Sequence, residues 1–121
     1  MKPFNRVSIA VSNLLKDLGI SAGTRGYGYL CYAVEYSIIG KSAVHYLTKE
    51  LYPAVASAHD STPSRVECAM RNAIEKGWLT GTLYAQQDVF RNTIDSEKGK
   101  PTNGQFIATV ADYIQRVVLA A

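Results

Sequence analysis

Cysteine is scarce in this chain. Of 121 residues only Cys31 and Cys68 carry thiols, and they form no C-x-x-C pair. Together with His45 and His59, the only histidines, they match no zinc-module spacing. The expectation is two reduced thiols in a cytoplasmic protein, with no metal and no cofactor. Long apolar runs are missing as well. Met1-Lys2-Pro3-Phe4 does not begin a signal peptide, and no stretch approaches the ~20 apolar residues of a membrane span. No membrane partner is expected. Period-two alternation, internal repeats, low-complexity tracts and interdomain linkers are also lacking, so residues 1–121 read as a single domain. No Ser/His/Asp or Cys/His set and no glycine-rich phosphate loop is recognisable, which points away from an enzyme.

Apolar residues at helical spacing are abundant. Phe4, Val7, Val11, Leu14, Leu15 and Leu18 predict a first helix, with Gly19 as its stop. Tyr27, Leu30, Cys31, Val34 and Ile38 predict a second, ending at Gly40. A third is expected from an N-cap at Ser42, carrying Val44, Leu47 and Leu51 inward. Pro53 opens a short helix through Ala58, because proline is tolerated in a first helical turn and not in an interior. The turn His59-Asp60-Ser61-Thr62 follows, and Pro63 opens the next helix with Thr62 as N-cap. That helix has the clearest stripe: Val66, Ala69, Met70, Ala73, Ile74 and Trp78, closed by Gly81. Leu83, Val89 and Phe90 mark a further short helix, and 95–100 an exposed loop. Thr102 with Gln105 is a capping-box signal opening a last helix of Phe106, Ile107, Val110, Ala111, Ile114 and Val118. The fold class is all-α, a compact domain of six to seven helices.

A short helix, a four-residue polar turn and a longer amphipathic helix make a helix-turn-helix, whose second helix faces the major groove in DNA-binding examples. Its outward side here carries Ser64, Arg65, Glu67, Cys68, Arg71 and Asn72. Arginine can pair with guanine in bidentate fashion, asparagine can read adenine, and glutamate can accept from cytosine. The same Glu67, Arg71 and Glu75 spacing also suits a solvated ion-pair ladder. Net charge of +3 is mildly favourable to a nucleic-acid partner and decides nothing alone.

Longer strings carry more information. Ser61-Thr62-Pro63-Ser64-Arg65-Val66-Glu67, then Ala69-Met70-Arg71-Asn72-Ala73-Ile74-Glu75 and Trp78, closely resembles the recognition helix of the sporulation initiation response regulator, the stage 0 sporulation protein A family. Lys100-Pro101-Thr102-Asn103 with Phe106-Ile107-Ala108 and Val110-Ala111-Asp112 is similar to the same family, as are Gly26-Tyr27 with Tyr29-Leu30, and Leu51-Tyr52-Pro53. The similarity runs from about Val11 to Arg116. It implies a DNA-binding effector domain for short promoter boxes in double-stranded DNA, often as a homodimer on tandem sites, with RNA polymerase as a further partner. It implies base reading by Arg65 and Glu67, with Ser64 and Arg71 at the same face and the loop around Lys100 and Thr102 near phosphates. Two departures stand out. The family's regulators carry a phospho-acceptor receiver domain that these residues do not contain, so binding without phosphorylation is expected. Cys68 stands where the family has an arginine. The competing reading is a protein-interaction module that modulates a full-length regulator or RNA polymerase without reading DNA.

Overall fold

The computed structural model describes residues 4–40, 46–81, 83–91 and 99–119. Six α-helices follow one another among them, with no strand: α1 (Phe4–Asp17), α2 (Arg25–Gly40), α3 (Tyr52–Ala58), α4 (Pro63–Thr80), α5 (Leu83–Phe90) and α6 (Asn103–Tyr113). The expected cap at Ser42, the inward Val44, His45 and residues 95–98 of the expected loop lie outside the described residues.

The first stop signal works by backbone geometry. Gly19 takes φ +90°, and its N–H donates to Lys16 O at 3.0 Å while Ile20 N–H donates to Leu15 O at 3.0 Å. This reciprocal pair closes α1 as a Schellman turn, with apolar residues, Ile20 and Leu15, at the two positions where such turns favour them. Both side chains are fully buried or nearly so. A Cβ on Gly19 would lie 2.6 Å from Gly77 O, so this turn also sets how closely α1 meets the end of α4.

A π-helical turn, Leu47–Leu51, runs into α3. Pro53 lacks the N–H that a regular helix would donate one turn back, so a wider turn before it is a natural adjustment. Leu51 is buried there as the apolar stripe requires. A second π-helical turn, Ile114–Val118, extends α6. It corrects one expectation. The extra residue in the turn, with Leu119 N–H donating to Ile114 O at 2.8 Å, rotates Val118 outward to 40 % exposure. Leu119 packs on the core in its place. Leu83, expected as an apolar position of α5, is likewise exposed, whereas Val89 and Phe90 are buried.

One core joins the elements. α2 packs on α1, α4 and α6, with Leu30, Ala33 and Val34 fully buried along its length. Val66, Met70, Ala73 and Ile74 bury the inner face of α4. Trp78 is only half buried, with its ring edge-on to Phe90 at 4.9 Å between centroids. The α1–α2 seam is partly polar: Ser8 donates to Glu35, Ser12 and Tyr27 share a hydroxyl hydrogen bond, and Cys31 lies beside Tyr27. Burial pushes the Cys31 thiol up to about 11, so it is a poor thiolate.

Candidate nucleic-acid interface

The segment from α3 to α4 is where the capping chemistry is densest. Ser61 N–H donates to Ala56 O at 2.9 Å, and Asp60 sits at φ +51°. A short Asx residue tolerates that left-handed backbone better than most. His59 Nδ1 meets Val55 O at 2.8 Å, and its ring stands edge-on between Tyr29 and Tyr32 at 5.2 and 5.3 Å. Tyr29 Oη also donates to Ser61 at 3.3 Å. The turn is therefore clasped by α2, and His59 is a turn residue. Thr62 caps α4 by accepting from Arg65 N–H at 3.3 Å, with Pro63 at the first helical position. Each signal that the sequence placed between Pro53 and Pro63 is used, and the result is a short helix, a hydrogen-bonded turn and a longer capped helix, an order consistent with a helix-turn-helix.

On α4 the outward side chains form one continuous face. Ser64, Arg65, Cys68, Arg71 and Asn72 are exposed and Glu67 is partly covered. At roughly 100° per residue, the exposed arc covers on the order of half the helix circumference. Glu67 and Arg71 lie at one margin, Arg65 and Asn72 toward the other, and Cys68 near the middle. Cys68 Sγ lies 3.6 Å from Arg71 Nη2 and 3.9 Å from Asn72 Nδ2, in the plane of this polar face. A half-buried role for that thiol is thereby ruled out. Arg71 pairs with Glu67 one turn back. Arg65 makes no ion pair among the described residues.

The start of α6 abuts the Glu67 margin. Thr102 and Gln105 form the full capping box: Gln105 N–H donates to Thr102 Oγ1 at 3.2 Å, and Thr102 N–H to Gln105 Oε1 at 2.9 Å. Thr102 remains exposed, and its hydroxyl proton is not consumed by accepting the cap bond. Lys100 Nζ pairs with Glu75 Oε1 at 2.8 Å, and that lysine holds the Glu75 carboxyl below its ordinary range. Between these groups lies a cleft of about 500 Å³, edged by Arg71, Glu75, Lys100 and Thr102.

Asn103 was not singled out by the sequence as anything more than part of a loop motif. It is buried, and its amide donates to Tyr52 Oη at 3.1 Å and to Glu67 O at 3.1 Å. One side chain thus ties the start of α6 to the starts of α3 and α4. Burial raises the Tyr52 hydroxyl above its ordinary pKa, and the Asn103 hydrogen bond partly offsets that rise. No sequence signal separates such an asparagine from a turn former. Its partner Tyr52 is 51 residues away.

Two groups that the family resemblance placed at one surface are therefore adjacent in space, the α4 face and the Lys100–Thr102 segment. Among the described residues no helix is long and apolar enough to cross a membrane. The family model described as sporulation initiation factor Spo0A C terminal matches residues 11–114, from within α1 to the end of α6. The chain belongs to that family of DNA-binding effector domains.

Proposed function

We propose that this chain is a transcription regulator that reads short promoter boxes in double-stranded DNA with the outward face of α4. The observation that carries the reading is the division of α4 into two faces. Val66, Met70 and Ile74 are at most 1 % exposed, so the helix cannot rotate, and the opposite side holds arginine, asparagine and hydroxyl donors in fixed register. Arg65 is the foremost base reader, being exposed, without an ion pair among the described residues and in the first turn, the part of a recognition helix that meets base edges. Arg71 and Glu67 are committed to each other in the free protein, and base contact by either exchanges that pair for DNA. Ser64, Cys68 and Asn72 fill the remaining face. Lys100 and Thr102 contact phosphate, Lys100 after releasing Glu75.

The test is fluorescence anisotropy on a box selected from random duplexes and on its scrambled form. The chain binds the selected box better, with affinity falling as salt rises. Arg65→Ala loses about 1–3 kcal/mol on the box and relaxes preference at one base pair. Lys100→Ala weakens both duplexes alike. Equal affinity of wild type for box and scramble across salt concentrations would sink sequence reading.

A second reading has one specific observation in its favour. Leu79, Leu83 and Tyr84 are 87, 66 and 81 % exposed, close in sequence around the end of α4. Apolar exposure of this kind marks contact surfaces. A module that acts on a full-length regulator or RNA polymerase would use them, and would show no salt-dependent duplex binding of its own.

A further inference from the structure

The Lys100 side of α4 has a counterpart on its other margin. α2 begins there. Thr24 Oγ1 accepts from Tyr27 N–H at 3.3 Å, which fixes Arg25 as the first helical residue of α2. Gly26 then lets α2 approach α4 so closely that a Cβ at that position would lie 2.4 Å from Ala69 O. The consequence is that Arg25 is held beside the outward face of α4. It edges one cleft with Asn72 and Lys76, and a second with Asp60, Ser61 and Arg65. Its side chain is exposed and makes no ion pair among the described residues.

We propose that Arg25 anchors the phosphate backbone of the DNA strand opposite the one met by Lys100, so that α4 enters the groove between two cations. This rests on the reading that α4 faces DNA. The geometry follows from the helix wheel: Lys100 stands at the Glu67–Arg71 margin, Arg25 at the Ala69–Asn72–Lys76 margin, and Glu75 lies between, lining both clefts. A major groove about 12 Å wide is walled by one phosphate backbone on each side, and a seated helix leaves each margin facing a different wall. The two cations are not equivalent. Lys100 must give up Glu75 before it reaches phosphate, whereas Arg25 has no ion-pair partner among the described residues to surrender. A guanidinium also suits the bidentate geometry of a phosphate. Arg25 therefore carries register and sequence-independent affinity, and Arg65, which shares its cleft, carries the base contact.

The test uses the full chain, its Arg25→Ala and Arg25→Lys variants, and Lys100→Ala. Binding is measured against salt on the selected and scrambled duplexes, and on box duplexes carrying one neutral methylphosphonate at a time. Arg25→Ala weakens both duplexes by the same factor and lowers the salt slope by about 0.9, the value for one phosphate contact. Arg25→Lys keeps the slope. The methylphosphonate that ceases to matter in Arg25→Ala lies on one strand, and the one that ceases to matter in Lys100→Ala lies on the other. Wild-type binding with an unchanged slope in Arg25→Ala overturns the inference alone, as do two phosphates on the same strand or a shift in base preference. Absence of any salt-dependent binding by wild type overturns the reading of α4 as a DNA face and this inference with it.

Discussion

The two margins of α4 are fastened by different physics. On the α2 margin the joint is steric. Gly26 removes a side chain so that two backbones meet, and the nearby arginines, Arg25 and Arg65, are left without ion-pair partners among the described residues. On the α6 margin the joint is polar. Asn103 bridges Tyr52 and the Glu67 carbonyl, Lys100 holds Glu75, and Glu67 holds Arg71. A steric joint leaves charges available for a partner. A polar joint consumes them, and a ligand must compete for each one. The same helix is thus positioned twice, once by what is absent and once by what is hydrogen-bonded.

Breaking the steric joint has the largest effect. Gly26→Ala places a methyl group 2.4 Å from a backbone oxygen and 2.6 Å from the Ala73 Cβ, neither of which can swing aside. Overpacking of this kind costs about 3 kcal/mol, at the upper end of its usual range. Thermal unfolding followed by circular dichroism should show a loss of roughly 4 °C per kcal/mol. A Tm within a degree of wild type would show that α2 and α4 are not in rigid contact.

Breaking the polar joint comes next. Asn103→Ala removes two hydrogen bonds and leaves the buried Tyr52 hydroxyl without this donor. Stranding a buried polar group costs about 1–3 kcal/mol. If hydrogen bonding is the cause, Tyr52→Phe in the same background restores part of the loss, because the stranded hydroxyl is gone. A double variant no more stable than Asn103→Ala would assign the cost to lost packing instead.

The smallest effect sharpens the comparison at the level of charge. Glu75 is only partly covered, and its ion pair with Lys100, open to solvent, contributes little to folding. Its carboxyl is held below the ordinary range by Lys100, so the pair's contribution is present above that range and fades as pH falls through the lowered value. The Tm of wild type and Glu75→Gln should converge in that acidic window and differ slightly at neutral pH. For DNA the sign is opposite: Glu75→Gln frees Lys100 and removes a negative charge, so affinity rises on selected and scrambled duplexes alike. A drop in affinity on both would show that Glu75 orients Lys100 for phosphate rather than competing with it.

Much of this was legible in the order of residues. The caps at Thr62 and Thr102, the stops at Gly19 and Gly81, and the inner stripe of α4 are local devices, each acting over one or two helical turns. Periodicity finds such devices because a helix is closed by its neighbours in sequence. The same locality explains why Ser64, Arg65, Cys68, Arg71 and Asn72 could be placed on one face from spacing alone.

Other features were not local and could not be read that way. The outward turn of Val118 depends on a π-helical turn, one residue of extra winding that leaves no mark in the hydrophobic pattern. Asn103 looks like a turn former until Tyr52 and Glu67 are brought to it from 51 and 36 residues away. Lys100 reads as a solvated lysine near phosphate, and only the packing of α6 on α4 gives it Glu75. Arg25 has no pattern around it at all. Its position beside Arg65 and Asn72 exists because Gly26 allows one backbone to touch another. The sequence by itself determined which residues form helices, which face of α4 is polar and which family the strings resemble, since these follow from spacing within a single element. The tertiary structure alone decided which of the cations are paired and which stand on either side of α4, because charge pairing depends on distances that are set only when separate helices pack.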